Sequence, residues 1–195
     1  MFKRFSDILL SAGALAALSP LLLLLSLGVA VDSGFPILFS QVRVGRGFHR
    51  FHLWKFRTMR TGVSGPSITI AGDRRITRLG GMLRAAKLDE LPQLWNVLRG
   101  DMSLVGPRPE IPEYVEQFKA RYERILAIRP GITDLASIRF RNEEEILAAS
   151  PEPLREYVER VLPLKLDLAD EYLQTASLFG DLSILLQTAA AMIRK

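Results

Sequence analysis

Two adjacent carboxylates, Asp89 and Glu90, are the residues in this sequence whose types best suit catalysis. A carboxylate can attack phosphorus as a nucleophile and thereby divide one group transfer into two steps. Taken alone, however, Asp89-Glu-Leu-Pro92 is also typical of an ordinary helix start, with Asp as the cap and Pro in the first turn. Neighbouring residues do not share a face of a helix, so we expect the two carboxylates to perform different tasks.

Basic side chains are concentrated in the same part of the chain. The sequence has 195 residues with 26 Lys and Arg against 21 Asp and Glu, and 20 of the basic residues are Arg. Residues 41–110 carry 13 basic and 5 acidic side chains, whereas residues 111–195 carry 11 basic and 14 acidic ones. This basic middle segment favours an anionic partner, such as a phosphorylated ligand, anionic lipid or nucleic acid. A solvated Arg-rich surface would have the same composition.

Composition excludes several other classes of site. The chain has no Cys, which excludes a disulfide scaffold and a thiolate metal centre. It has only two histidines, His49 and His52, so neither a histidine metal site nor a histidine-centred catalytic triad is expected. Apolar residues make up 48% of the sequence, which is enough to bury a core and is not typical of a disordered chain.

Several ordered motifs surround the two carboxylates and share one resemblance. Leu83 to Leu98, which contains the Asp-Glu pair, closely resembles the bacterial sugar transferases that act on polyprenyl phosphate, the monotopic phosphoglycosyl transferases. The small catalytic-domain form of that family is the nearest pattern. The similar segments are Lys3-Arg4, Ser19-Pro20, Gln41-Val-Arg43, Lys55-Phe-Arg-Thr-Met59, Asp73 to Gly80, Gly100 to Pro109, and Pro130-Gly-Ile-Thr133 through to Arg141. The resemblance thins towards the C-terminus.

The resemblance implies a reaction. A sugar 1-phosphate would pass from a nucleoside diphosphate sugar, with a UDP-sugar as the expected donor, to polyprenyl (undecaprenyl) phosphate. The products would be polyprenyl-diphosphate sugar and UMP, in the first membrane step of polysaccharide or glycoconjugate synthesis. The resemblance implies a covalent phosphosugar on Asp89 and a requirement for Mg²⁺, held by Asp89. Glu90 would position or polarise the phosphates or assist the acceptor.

The resemblance also assigns phosphate or nucleotide contacts to basic residues of the matching motifs, namely Lys55, Arg57, Arg84, Arg108 and Arg141. The sequence departs from the family pattern after Pro130-Gly-Ile-Thr133. A Gly-Trp-Ala-Gln stretch is usual there, whereas this chain has Asp134-Leu-Ala-Ser137, and Phe140 stands where Gly normally precedes the Arg. The preference for sugar or nucleotide could therefore differ.

An uncharged run of 24 residues, Ile8 to Val31, predicts a membrane segment. As a helix of ~1.5 Å per residue it could cover ~36 Å, against a bilayer core of ~30 Å. Its length also permits a straight or kinked span, and a cleaved signal peptide is a weaker alternative. Basic residues flank the run on both sides, which favours a cytoplasmic location for both of its ends. Ser19-Pro20 lies in the middle, where a bend is expected.

These features predict a monotopic protein of the bacterial inner membrane. Residues 1–35 would form a re-entrant helix-break-helix bent at Ser19-Pro20, and residues 36–195 a catalytic domain on the cytoplasmic face. Two short alternating runs, Pro36 to Arg43 and Arg50 to Arg57, predict a β-hairpin. Most of the remaining chain favours helices, so the predicted fold is α+β, mostly helical with a small β-hairpin.

Two rival functions remain open at the level of sequence. One is a conventional glycosyltransferase, which would release UDP instead of UMP. The other is a membrane-anchored basic module without catalysis, which would bind nucleic acid or anionic lipid and would not need Asp89. The favoured enzyme has a UDP-sugar, polyprenyl phosphate and membrane lipid as partners, and no nucleic acid. A homodimer is compatible with the sequence.

Overall fold

A computed structural model of the protein describes residues 2–63, 65 and 68–193. Within these residues the chain is mostly helical with two small sheets, which confirms an α+β fold dominated by helices. The helices are α1 (Phe2–Ser33), α2 (Arg78–Ala85), α3 (Gln93–Arg99), α4 (Pro112–Gln117), α5 (Lys119–Ile125), α6 (Leu135–Arg139), α7 (Glu143–Ala148), α8 (Pro153–Glu156), α9 (Leu162–Thr175) and α10 (Leu178–Ile193). The strands are β1 (Leu38–Val44), β2 (Arg50–Phe56), β3 (Ser103–Val105) and β4 (Gly131–Thr133).

The long N-terminal helix α1 is, among the described residues, the one helix with the length and apolar composition to cross a membrane. It continues as one helix through Ser19-Pro20, where the sequence predicted a helix-break-helix. Pro20 cannot donate a backbone hydrogen bond, and the neighbouring Ser19 hydroxyl donates to the Ala16 carbonyl over 2.8 Å. Most of the helix surface is exposed, and its fully buried residues are Asp7, Ser11 and Val29.

Both ends of α1 are bound to the rest of the protein. Near its start, the Arg4 guanidinium donates to the Val97 and Leu98 carbonyls at the end of α3, over 2.5 and 2.9 Å. Near its end, the Arg57 guanidinium donates to the Ser33 and Gly34 carbonyls over 2.6 and 2.5 Å. Both guanidinium groups thus donate to carbonyls at or just beyond the ends of helices, where donors from within the helix run out. They also hold the two ends of the apolar helix on one folded unit.

The predicted β-hairpin is present. Strands β1 and β2 pair antiparallel in a register that places Leu38 opposite Phe56 and Val44 opposite Arg50. The connecting turn contains Gly47 at φ 65°, a left-handed conformation that suits glycine. Alternate residues of β2 point into the protein. Phe51 and Leu53 are buried, and Lys55, the next residue in this alternation, is partly buried.

A second sheet of two parallel strands, β3 and β4, was not predicted from the sequence. Ser103 pairs with Gly131, and Val105 pairs with Thr133. The backbones approach closely beyond the end of β3, because a Cβ atom at Gly131 would lie 2.1 Å from the Gly106 nitrogen. The two glycines therefore fix how the segment after β3 leaves the sheet.

The main apolar core lies between α4, α5 and α9. Tyr114, Ile125, Leu147, Val161 and Leu166 are among its buried members. A separate cluster joins α1 to the rest of the chain, in which Val29 packs with Phe56 and Leu83. This second cluster places α1 directly against α2 and the end of β2.

Replacing Gly131 by Ala should destabilise the fold. The added methyl group would overlap the backbone of Gly106, so we expect the free energy of unfolding to fall by about 3 kcal/mol. Thermal unfolding in detergent measures this change. Gly81→Ala is the matched control, because a Cβ there meets nothing closer than 3.9 Å. Equal melting temperatures for the two variants would contradict the close approach of β3 and β4.

Candidate active site

The two candidate carboxylates lie in a short 3₁₀ turn, Leu88–Glu90, between α2 and α3. Lys87 precedes the turn in a left-handed conformation, with φ 56°. Helix α3 begins at Gln93 with Pro92 as its cap residue, and Pro92 makes no side-chain capping bond. Asp89 is therefore not the cap of α3, which was the ordinary structural interpretation of this motif.

Glu90 is held by two cations from different elements. Lys55 Nζ, near the end of β2, donates to Glu90 Oε1 over 2.9 Å. The Arg108 guanidinium contacts both carboxylate oxygens, including Glu90 Oε2 over 3.3 Å. Burial by itself would raise the pKa of Glu90, but the charges and hydrogen bonds of Arg108 and Lys55 together lower that pKa well below its ordinary value. Glu90 is thus a fixed anion that orients two cations.

Asp89 has a different environment. Its side chain is buried, with 5% of the residue exposed, and it takes part in no hydrogen bond among the described residues. Burial raises the pKa of Asp89, and the nearby charge of Lys55 opposes that effect. The charges of Arg84 and Lys87 act in the same direction as that of Lys55. Asp89 is therefore a desolvated carboxylate among cations, with its oxygens not committed to a protein donor.

Burial also affects Lys55. Desolvation lowers the pKa of its ammonium group, while the charge of Glu90 favours the protonated form. The Arg108 guanidinium shares that partner and has its pKa raised, chiefly by the charge of Glu90. The three side chains form one connected group, which we call the Glu90 cluster.

Arg84 and Arg57 are placed differently from each other. Arg84, on α2, is close enough for its charge to act on Asp89, and its guanidinium is paired with Glu144 of α7. Arg57 is buried at the end of α1, where it binds the Ser33 and Gly34 carbonyls. The structure thus brings Lys55, Arg84 and Arg108 to the carboxylates and leaves Arg57 beside the membrane helix.

Arg141 lies in the turn between α6 and α7. The hydrogen bonds and ion pairs described for Glu90 do not include it. Sequence reasoning assigned no role to three residues near the site. They are Lys87, whose charge acts on Asp89, Glu144, which pairs with Arg84, and Asp134, which accepts a hydrogen bond from the Arg108 backbone. Of these three residues, only Asp134 had been marked in the sequence, by its departure from the family pattern.

A cavity of about 360 Å³ lies apart from the carboxylates, at the end of α1. Its lining residues are Asp32, Ser33, Arg60, Thr61, Thr77 and Arg78. Thr77 is the cap residue of α2, whose Oγ1 accepts from the Gly80 nitrogen over 2.9 Å. The cavity therefore lies at the start of α2, whereas the catalytic candidates follow the end of that helix.

Comparison with known proteins identifies the family. The sequence profile described as "Bacterial sugar transferase" matches residues 1–195. The protein belongs to the bacterial sugar transferase family. The prediction that this chain is a sugar transferase is confirmed.

Three relatives illustrate the match. The transferase is 41% identical to the UDP-glucose:undecaprenyl-phosphate glucose-1-phosphate transferase of Caulobacter vibrioides, over 98% of this chain and 69% of the relative. It is 43% identical to the exopolysaccharide production protein PSS of Rhizobium leguminosarum bv. phaseoli, over 71% of this chain and 74% of the relative. It is 41% identical to the UDP-N-acetylgalactosamine-undecaprenyl-phosphate N-acetylgalactosaminephosphotransferase of Aeromonas hydrophila, over 70% of this chain but 33% of the relative.

One carboxylate of the transferase, Asp89, has the chemistry to hold a magnesium ion that is shared with a substrate. The described residues contain no group of three or more His, Cys, Asp or Glu that could hold a metal by themselves. Mg²⁺ is commonly held by one or two carboxylates together with substrate phosphates and water. Glu90 is occupied by two cations, whereas Asp89 retains oxygens for such a contact.

Removing the charge of Glu90 should destabilise the transferase. In Glu90→Gln, Lys55 and Arg108 would remain close together without their anion, and we expect a loss of about 3 kcal/mol in the free energy of unfolding. Denaturant titration of purified protein measures it. Glu116→Gln is the control, because Glu116 pairs with Lys119 on an exposed surface. A variant as stable as this control would show that the Glu90 cluster contributes nothing to the fold.

The same variant should change how stability depends on pH. The folded-state pKa of Glu90 is lowered, so its stabilisation is complete above the ordinary glutamate value of about 4.3 and disappears as the pH falls through the folded value. The unfolding free energy of wild type should therefore decline on acidification below about pH 4.3, and that of Glu90→Gln should decline less steeply. Parallel curves would contradict the lowered pKa.

Proposed function

We propose that this transferase moves a sugar 1-phosphate from a UDP-sugar to polyprenyl phosphate and releases UMP. The observation that carries the proposal is the contrast between the two adjacent carboxylates. Glu90 is saturated by Lys55 and Arg108, while Asp89 is buried among cations without a hydrogen-bond partner in the described part of the chain. The printed names of the Caulobacter and Aeromonas relatives, which specify UDP-sugars and undecaprenyl phosphate, support the same substrate classes.

In the first proposed step, an Asp89 carboxylate oxygen attacks the phosphorus atom that carries the sugar. A new bond forms between that oxygen and phosphorus, and the bond from phosphorus to the bridging oxygen of the diphosphate breaks. The bridging oxygen leaves with its electron pair as part of UMP. The burial of Asp89 supports this role, because no water shell has to be removed from the nucleophile before it attacks.

In the second step, a phosphate oxygen of polyprenyl phosphate attacks the same phosphorus atom. The bond to Asp89 breaks, the carboxylate is restored, and polyprenyl-diphosphate sugar remains in the membrane. Both steps bring an anionic nucleophile to an anionic phosphate, so the repulsion has to be offset by positive charge. Lys55 and Arg108 supply that charge from orientations fixed by Glu90, and Arg84 adds to it from α2.

Asp89 is also the residue proposed to hold Mg²⁺ together with phosphate oxygens of the substrate. When bound there, the ion would withdraw charge from the phosphates and add to the effect of the cationic side chains.

We propose that α1 enters and leaves the membrane from one face, so that residues 1–35 form a re-entrant segment and residues 36–195 the catalytic domain on the cytoplasmic side. The support is the attachment of both helix ends to one folded unit, through Arg4 at the start and Arg57 at the end. A helix that crossed the bilayer would place its ends on opposite faces, which these two attachments could not both reach.

Helix α10 carries a second group of exposed apolar side chains. Leu178, Phe179, Leu182 and Leu186 are exposed on it, and Asp181 is the sole charged residue between positions 178 and 191. Asp181 is not available to water, because it is buried and pairs with Lys3 at the start of α1. This pair holds the start of α10 beside the start of α1, and we propose that the exposed apolar faces of both helices contact lipid.

Replacing Asp89 by Asn should abolish turnover by removing the nucleophile. We expect UMP release from a UDP-sugar, in nanodiscs with undecaprenyl phosphate and Mg²⁺, to fall by about 10³-fold or more. Wild type incubated with donor alone should gain the mass of a sugar phosphate, and Asp89→Asn should not. Asp167→Asn, at an exposed position, is the matched control. Release of UDP instead of UMP would indicate a conventional glycosyltransferase, and an active Asp89→Asn would overturn the assignment of the nucleophile.

The topology can be tested with single cysteines, since the chain has none of its own. Phe5→Cys lies at the exposed start of α1, and Glu123→Cys lies on the exposed surface of α5. In intact bacterial cells, both should resist a membrane-impermeant maleimide, and both should react after the membrane is permeabilised. Labelling of Phe5→Cys alone in intact cells would show that α1 spans the bilayer.

A further inference from the structure

Asp134 connects two parts of the chain through one buried carboxylate. It follows β4 directly, and 4% of the residue is exposed. Its Oδ1 accepts a hydrogen bond from the Ser137 nitrogen over 2.7 Å, which caps the start of α6. Its Oδ2 accepts from the Arg108 nitrogen over 3.0 Å. The second bond has no part in capping the helix.

The bond to Arg108 holds the segment Pro107–Pro109, which has few main-chain hydrogen-bond donors. Pro107 and Pro109 flank Arg108, and neither proline has a backbone N–H. The Arg108 nitrogen is therefore the single main-chain donor of these three residues, and Asp134 accepts from it. On the other side, the Pro107 carbonyl accepts from the Gly131 nitrogen over 3.0 Å.

The hydrogen bonds from Gly106 and Arg108 extend the pairing of β3 with β4 past the last residues of the two strands. The Gly106 nitrogen donates to the Thr133 carbonyl over 3.1 Å, and the bond from Arg108 to Asp134 comes next along the same pair of chains. The polypeptide at Arg108 is thus fixed to β4, and the guanidinium at the other end of its side chain is fixed to Glu90.

We propose that Asp134 is a positioning residue for Arg108. By holding the Arg108 backbone, it sets the point from which the guanidinium extends towards Glu90 and the phosphates of the nucleotide sugar. The inference rests on the proposed function, because it gives Arg108 a role towards the donor. Fixing a long side chain before the substrate binds reduces the ordering that binding would otherwise require.

A series of substitutions separates positioning from helix capping. Asn and Ser are both good cap residues, so Asp134→Asn and Asp134→Ser can retain the bond to the Ser137 nitrogen. In the Asn variant the side-chain amide that faces the Arg108 nitrogen is a donor and cannot accept. The Ser hydroxyl has a shorter reach and one oxygen, so it cannot serve both nitrogens. Asp134→Gly removes both side-chain bonds.

The experiment compares these variants with wild type in two assays. The first is kcat/KM for UMP release from UDP-glucose with undecaprenyl phosphate in nanodiscs, and the second is the affinity for UDP measured by titration calorimetry. We expect Asp134→Asn and Asp134→Ser to lose about tenfold in both, with melting temperatures close to wild type. In an Arg108→Gln background, adding Asp134→Asn should change neither quantity by more than about twofold.

Two results would overturn the proposal. One is wild-type kcat/KM and UDP affinity in both Asp134→Asn and Asp134→Ser, which would leave capping as the role of Asp134. The other is that the effects of the Asp134 and Arg108 substitutions on kcat/KM and on UDP affinity are fully additive in the double variant. Binding of UDP by wild type without UMP release from any donor would refute the proposed function alone, because the UDP affinities would still decide the role of Asp134. If wild type neither released UMP nor bound UDP, both the proposed function and the proposed role of Asp134 would be refuted.

Discussion

The attachment of Glu90 to Lys55 and Arg108 is the interaction on which the candidate site depends. The two cations come from the end of β2 and from the segment after β3, and the carboxylate comes from the turn between α2 and α3. Moving any one of these charges out of water is costly, and the cost is offset when all three are held together. The group therefore fixes the position of three elements relative to one another, and the site is assembled where they meet.

The same arrangement explains how two adjacent carboxylates acquire opposite properties. Glu90 receives the available hydrogen bonds, and its pKa is lowered well below the ordinary value. Asp89 is buried without those bonds, and its pKa is raised by desolvation. Neighbouring groups whose surroundings move their pKa values apart can perform different chemical tasks. One carboxylate orients cations, which leaves the other for contact with a substrate.

Local patterns in the sequence predicted the elements whose contacts are themselves local. The alternation of apolar residues before and after Gly45 predicted the β-hairpin correctly, because its two strands are neighbours in the chain. Strands β3 and β4 contain three residues each and are separated by two helices, so no periodic signal could reveal their pairing. The position of Arg57 beside Ser33 likewise depends on where the membrane helix ends, and the Lys55-Phe-Arg57 motif contains no information about that contact.

The packing of α1 links the long apolar helix to the candidate nucleophile. Val29, near the end of α1, is buried with Leu83 of α2, and Leu88 packs against this cluster. Leu88 immediately precedes Asp89, so the apolar contact that holds the helix also determines the position of the carboxylate. A transferase that joins a water-soluble donor to a lipid phosphate has to bring both to one depth. In this protein, the same few apolar side chains position both α1 and the turn that contains Asp89.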